Sequence, residues 1–555
     1  MTARRNLPPL PPVERIRGRE SALSLWSKDR AMFNLRTPAP DQPAQGSAGK
    51  TPQKEWEESF EAAPSMKAGG GITAVEDVSS RASQWWTDGG LYLGQEVKDS
   101  TDKSHALRSP WDLTGKIIHY RQDRHVLSIG PNGSGKTRRL LYPALYRLKN
   151  WSIAAIDVKG ELFAHTAMHR KAAGSRIILL DPFAVVKTNY PHLAKRFPCE
   201  SSGFNPVAVL DPASPRFVDQ AKSLAVALIQ TEAEREKYWS QAAQALVKGL
   251  LMGLRIEAGA EASLPLLRKV LGLAPQQLAD ECARLVAEFG KQCPALAASL
   301  SEFTAYSPQD RELGGVRRTA KVQTDWLDSP EVCADLKKGA FDFATIKDVP
   351  TTIYLVLPPE YLASHGTWLR IMVSSILRPL LRSVEGRAVP CLFMLDEFAQ
   401  LGHMEMIEDN YALMRGYGVK LWTIFQDLNQ AKILYKDRWE SFISNAGIVQ
   451  AFAPQDMTTR KYLSDLADER MTWIDKEGKS SNVSGINVSG GTSITPTNIK
   501  EPLMYPYELG QMQQGQSVLF TARGHVLRSY FPDAAAKGFA GVAEMMAEAA
   551  KSMQP

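Results

Sequence analysis

The sequence predicts an α/β fold, with a mostly parallel central sheet and an inserted all-α segment. Three observations predict it. From about residue 110 onward, short β-prone apolar runs alternate with longer stretches of helical periodicity, the pattern of parallel strands joined by crossover helices. Between Asp211 and about Val349 the strand signal stops, and only 3- and 4-residue apolar spacing remains. The alternation then resumes and continues to about residue 530.

The expected strands are His125–Ile129, Ser152–Asp157, Arg176–Asp181, Thr352–Leu357, Pro390–Leu395, Val419–Phe425 and Gly447–Phe452. Helices fit between most of them. In the insertion, Ala221–Leu228, Ser240–Glu257 and Gln276–Phe289 carry amphipathic spacing. Gly478–Thr497 is rich in Gly, Ser and Thr and reads as a loop or hairpin. Ser517–Thr521 and Val526–Tyr530 form a terminal pair of strands, and a closing helix follows. The expected division is a nucleotide-binding domain at 111–211 and 346–535, the all-α insertion at 212–345, and a helix or tail at 536–555. Residues 1–110 make a basic, Pro/Gly-rich and partly disordered region, with linker-like clusters at Pro8–Pro12 and Pro38–Gly49.

Composition narrows the class. A chain of 555 residues with 44% hydrophobic and 23% charged residues has enough apolar surface for a large core. The net charge of +6 is small for this length. Residues 1–50 hold nine basic groups against four acids, so their local excess of +5 is nearly the whole imbalance. Two readings fit that arm, contact with phosphates or anionic lipid and a plain solvated tail. The five cysteines stand far apart, with no C-x-x-C pair, which argues against a disulfide framework or a zinc site. No apolar run is long enough to span a membrane: the best, Ala242 to Ile256, is broken by Lys248 and Arg255.

The strongest motif is Gly130-Pro131-Asn132-Gly133-Ser134-Gly135-Lys136-Thr137, a complete G-x-x-x-x-G-K-[ST] loop between an expected strand and an expected helix. Its glycines let backbone N–H groups close around phosphates, and the helix N-terminus adds partial positive charge. Lys136 is expected to reach the β- and γ-phosphates of ATP, and the Thr137 hydroxyl to take one position on Mg²⁺. Cys391–Leu395 followed by Asp396 and Glu397 has the Walker B form. There Asp396 would hold the Mg²⁺ shell and Glu397 would orient the attacking water. Leu421–Phe425 ends in Gln426, a candidate sensor of the γ-phosphate. Arg415, just upstream in Met414-Arg415-Gly416-Tyr417-Gly418, is a candidate arginine finger for a neighbouring subunit, with Arg317 and Arg318 as competitors.

Taken in order, these residues resemble the type IV coupling proteins, the TraG/TraD-type ATPases of conjugation. The resemblance covers about 125 to 530 and has several further parts. They are Ile156-Asp157-Val158-Lys159-Gly160-Glu161-Leu162 with Thr166 and Arg170, Asp181-Pro182-Phe183, Asn205-Pro206, Tyr238-Trp239, and Leu395-Asp396-Glu397-Phe398 with Leu401-Gly402. It implies a RecA-like P-loop NTPase working as a homo-hexamer, with ATP between subunits and Asp157 beside the nucleotide. It also implies single-stranded DNA as cargo, relaxase or relaxosome proteins as partners, and an all-α part turned towards them.

Coupling proteins of this kind carry N-terminal transmembrane helices, and this sequence shows none. A cytoplasmic chain, held at the inner membrane through a membrane-anchored partner or channel components, is therefore expected. Three other readings remain open: a coupling ATPase for protein effectors only, a non-motor ATP-binding adaptor, and a soluble DNA pump of the HerA or FtsK kind.

Overall fold

The computed structural model describes residues 90–97, 113–231, 237–305, 307, 309–339, 341–382, 389–484 and 487–531. The basic arm at 1–50, the linker clusters and the expected tail at 536–555 lie outside them.

Among the described residues, eleven strands form one sheet in the order β2-β1-β13-β12-β9-β3-β8-β7-β4-β6-β5. They are β1 (Leu91–Val97), β2 (Leu113–Tyr120), β3 (His125–Ile129), β4 (Ser152–Ile156), β5 (Arg176–Leu180), β6 (Thr351–Leu355), β7 (Cys391–Leu395), β8 (Val419–Phe425), β9 (Ala446–Ala451), β12 (Gln516–Thr521) and β13 (Val526–Tyr530). The seven from β9 to β5 pair in parallel, and the remaining four continue the sheet antiparallel. β10 (Glu469–Ser484) and β11 (Asn487–Pro502) form a separate long hairpin where the sequence indicated a loop or hairpin.

The parallel strands are short and apolar because helices cover both faces. Alternate residues go to opposite sides, as a two-residue side-chain period requires. Leu127, Ile129, Phe393, Leu395, Leu421 and Phe425 join one core, while Val126, Leu392, Met394, Trp422 and Ile424 join the other. Helices α1 (Tyr142–Arg147) and α2 (Glu161–Ala172) cover the second face. The first face receives α7 (Leu362–Leu380) together with the run of helices between β5 and β6. That run includes α3 (Phe217–Leu228), α4 (Lys237–Ala258), α5 (Pro275–Phe289) and α6 (Arg311–Val322). The buried face of α4 is close-packed: a Cβ on Gly249 would fall 2.5 Å from Leu300, and one on Gly253 would fall 2.9 Å from Leu285.

A buried polar chain ties the two halves of the sheet together. Trp422 Nε1 donates to Ser128 Oγ at 2.8 Å, Ser128 donates to Gln450 Oε1 at 3.3 Å, and Gln450 Nε2 donates to Ser517 Oγ at 3.3 Å. Ser517 and Ser529 share a hydroxyl contact of 2.6 Å. Five strands, β8, β3, β9, β12 and β13, are thus pinned in register by side chains that would be unsatisfied after a one-residue slip.

The sheet begins earlier in the chain than expected. β1 lies inside the stretch assigned to the Pro/Gly-rich region, and it pairs with β13 through Gln95 and Glu96. Among the described residues, no helix is long and apolar enough to cross a membrane.

Candidate functional site

The G-x-x-x-x-G-K-T loop leaves the C-terminal end of β3. Asp396 and Glu397 leave the same end of β7, and Gln426 the same end of β8. Since β8 lies between β3 and β7, the three strand tips are neighbours spanning about 10 Å. Parallel pairing carries this placement: it brings residues 130–137, 396–397 and 426 to one edge of the sheet.

Backbone geometry shapes the loop. Gly133 and Gly135 adopt φ of +80° and +84°, a region costly for any residue with a Cβ. At Gly130 a Cβ would meet Phe452 at 3.0 Å. The loop leads into a widened π-type turn at Thr137–Leu141, then into α1. Lys136 is buried, and its Nζ donates to the carbonyls of Gly130 (2.8 Å) and Pro131 (3.1 Å). Burial lowers its pKa, while the charges of Asp396 and then Glu397 raise it.

Asp396 is half-buried, and the packing around its carboxyl pushes its pKa up to about 6, against the opposing pull of Lys136. The next residue, Glu397, stands in the left-handed region at φ 54°, ψ 42°. Such a conformation costs a non-glycine residue about 1 kcal/mol, and it turns consecutive acids in different directions. Gln426 Nε2 donates to Glu397 Oε2 at 2.8 Å, and Gln430 Oε1 accepts the Gln426 backbone N–H at 3.0 Å. Sequence reading missed Gln430; its signal was a second amide one helical turn after the strand tip.

The residues fit a polyphosphate with a divalent cation. The loop offers backbone N–H groups at 132–133 and 135–137, a lysine, and the Ser134 hydroxyl, which is buried without a hydrogen-bond partner, while the Ser134 N–H closes the loop on the Pro131 carbonyl at 3.3 Å. Thr137 and Asp396 are oxygen donors of the type Mg²⁺ prefers.

Two further expected site residues lie at other strand ends. Asp157 sits at the tip of β4, next to β7, but its Oδ2 accepts the Phe163 backbone N–H at 2.9 Å, so that oxygen caps α2. Burial raises its pKa to about 7. The rest of that motif also holds the fold together. Arg170 is buried, donating to the carbonyls of Leu148 and Trp151 and to Thr352 Oγ1, and Thr166 shares a hydroxyl contact with Tyr354 at 2.7 Å. Arg415 is exposed just before β8, whereas Gln426 lies just after it, which puts them about 20 Å apart at opposite ends of the strand. The structure does not bring Arg415 to the loop of its own chain.

An unpredicted arginine links this site to the helical run. Arg370 of α7 donates to the carbonyls of Ala227 at 2.8 Å and Leu401 at 3.0 Å, and to Thr367 Oγ1 at 2.9 Å. Gln230 Nε2 donates to the His403 carbonyl at 2.6 Å, and Gln323 Nε2 donates to the Gln230 carbonyl at 2.8 Å. The end of α3, the end of α6 and the turn after Glu397 are therefore fastened at one joint.

Comparison with known proteins agrees with this arrangement. A family model described as type IV secretory system conjugative DNA transfer matches residues 79–551. The conjugal transfer protein TraG of Escherichia coli is 28% identical over 465 residues, covering 79% of this chain and 68% of that protein. The protein VirD4 of Rhizobium radiobacter is 26% identical over 371 residues, covering 64% of this chain and 49% of its own length. Among solved structures, the bacterial conjugative coupling protein TrwBdeltaN70 in its unbound form superposes with a TM-score of 0.58 at 13% identity, covering 84% of this chain and 93% of that one. The plasmid coupling protein TrwB in complex with ADP and Mg²⁺ gives 0.53 at 11% identity, covering 80% and 94%. At these identities the structural likeness is one of fold.

Proposed function

Because this chain belongs to the type IV secretory conjugative DNA-transfer family, we propose that it is the coupling ATPase of such a system. In this reading it takes up relaxosome-borne single-stranded DNA and drives it towards the transport channel. The observation that carries the reading is the delivery of the 130–137 loop, Asp396–Glu397 and Gln426 to one edge of the sheet by neighbouring parallel strands, with Gln426 Nε2 on Glu397 Oε2 at 2.8 Å.

Each residue then has a task. Lys136 exchanges its two loop carbonyls for phosphate oxygens, and the N–H groups of 132–133 and 135–137 cradle the chain of phosphates. Bound Mg²⁺ supplies the charge that offsets the β- and γ-phosphates. Thr137 and Asp396 hold that ion, Glu397 orients and deprotonates the attacking water, and Gln426 is tied to Glu397 so that the two move together. Arg415, at the far end of β8, completes the site of a neighbouring subunit in a head-to-tail homo-hexamer. In this reading the chain works on the cytoplasmic face of the inner membrane, touching channel components or a membrane-anchored partner. Asp157 caps α2 with one carboxylate oxygen, and its other oxygen, buried without a hydrogen-bond partner, supports its expected place beside the nucleotide.

Steady-state ATP turnover with and without single-stranded DNA, with oligomer size measured on the same sample, tests the proposal. Stimulation by DNA that disappears in Lys136→Ala and Glu397→Gln is expected. ATP binding without turnover under every condition refutes the motor and leaves an adaptor. Turnover indifferent to DNA but raised by a secreted protein shifts the cargo to protein.

A further inference from the structure

At the opposite end of the sheet from the loop, a cavity of about 400 Å³ opens between α3 and α7. Phe204 and Leu210, after β5, form part of its wall, with Phe341 and Phe343 before β6. Its size falls in the ordinary range of small-ligand sites.

The polar groups in this wall are unusual for a packing defect. Arg378, in the last turn of α7, is partly buried and donates to Ser223 Oγ, and among the described residues no carboxylate pairs with it. Asp219 is close enough to stabilise its charge, yet burial dominates and lowers its pKa to about 10. Arg382 stands at the exposed rim. The one carboxylate in the lining, Asp342, is occupied in accepting the Ala344 backbone N–H at 2.9 Å. Gln220 lines the same cavity, and its Oε1 is buried with no hydrogen-bond partner. The wall therefore offers guanidinium donors, one unpaired acceptor and apolar surface.

A ligand that satisfies all three needs two acidic oxygens, an N–H donor close by and an apolar side group. We propose that this cavity binds an N-acylated α-amino carboxylate with an apolar side chain, the chemistry of a polypeptide C-terminus or of a free acyl amino acid. The carboxylate meets Arg378, with Arg382 at the mouth, through planar charge-assisted hydrogen bonds. The amide N–H donates to Gln220 Oε1, and the side chain lies against Phe204, Leu210 and Leu224. A nucleotide base fits less well, because the rings do not present a slot. Phe204 and Phe343 are inclined at 55°, Phe341 and Phe343 at 53°, and the Arg176 guanidinium covers Phe341 at 4.5 Å.

The site also has a path to the motor, a consequence that rests on the proposed ATPase while the binding itself does not. Arg378 lies eight residues beyond Arg370 on α7, about 12 Å along the helix. Gln220 and Ala227 share α3. An occupant that fastens α3 to α7 therefore loads the joint through which Arg370 holds the Leu401 carbonyl, four residues after Glu397.

Binding to the full chain is measured by calorimetry with N-acetyl-leucine, with a hexapeptide ending in leucine as free acid, and with the same peptide amidated. The free acid is expected to bind, and amidation to weaken it at least tenfold. Arg378→Gln should weaken the acid about 10- to 100-fold and Gln220→Leu about 3- to 10-fold, with unchanged melting curves. Should Arg378→Gln melt early, the acid–amide contrast on the unaltered protein and Gln220→Leu carry the test. Binding of both acids identifies a free acyl amino acid as a sufficient ligand, and binding of the peptide acid alone identifies a polypeptide end. Equal binding of acid and amide, no effect of Gln220→Leu, displacement by AMP in preference to the acid, or no saturation at millimolar concentration overturns the proposal.

Discussion

Asp396 is the residue whose energetics can be worked furthest. Its pKa stands at about 6 where an unperturbed aspartate has 3.8, with burial the leading cause and Lys136 opposing it. At about 1.4 kcal/mol per pH unit, holding the ionised carboxylate in this site at neutral pH costs up to ~3 kcal/mol. Water access to a half-buried residue trims that to about 1–3 kcal/mol. The folded chain binds this proton more tightly than the unfolded chain, so wild-type stability falls as pH rises from about 4 to about 6 and then levels off. Asparagine cannot ionise and keeps the oxygen that accepts the Glu397 backbone N–H. Asp396→Asn should therefore match wild type near pH 4 and exceed it by about 1–2 kcal/mol near pH 7, the attraction to Lys136 being already contained in the shifted value. Urea unfolding with a chelator at the two pH values reads this difference directly. Adding Mg²⁺ and nucleotide should then stabilise wild type and leave the variant unchanged. A variant less stable than wild type near pH 7, or one whose advantage is the same at both pH values, refutes the reasoning.

Three further outcomes follow from other parts of the structure. Arg415→Ala should lose hydrolysis by about 10³-fold with nucleotide affinity little changed. Mixing it with Lys136→Ala subunits should restore part of the turnover, and no recovery counts against a role in trans. Gln450→Leu leaves Ser128 and Ser517 without their bridging amide and should cost about 1–3 kcal/mol in chemical unfolding. A Cβ at Gly447 would land on the Tyr120 hydroxyl, so Gly447→Ala should destabilise by about 1–3 kcal/mol, and Tyr120→Phe in the same chain should return part of that loss.

Much of the sheet was legible because its strands are brief, apolar and punctuated, so that Val419–Phe425 and Val526–Tyr530 coincide with the expected runs. The convergence of residues 130–137, 396–397 and 426 was legible for a related reason: parallel strands of similar length deliver their C-terminal ends to one edge. What escaped depends on partners distant in the chain. Leu91–Val97 has too little alternation to stand out and is held as a strand by β2 on one side and by Tyr530 and Ser529, more than 400 residues later, on the other. Arg370 carries no sequence signal of its role, because nothing local reveals the carbonyls of Ala227 and Leu401 that it satisfies. Asp157 was placed at the right strand tip, but the direction of its carboxylate is decided by the N–H groups at the start of α2.

The pairing of β1 with β13 also bears on how the chain is made. On the ribosome, β1 and β2 emerge before the other described strands, while the strand that flanks β1 on its other side is among the last described segments to be translated. For nearly the whole of synthesis the edge of β1 that β13 will cover stays open and hydrogen-bonding, with nothing native to fill it. A nascent chain stalled before Val526 should thus bind chaperones or aggregate through that edge, and release of the final strand should be the step that ends the exposure.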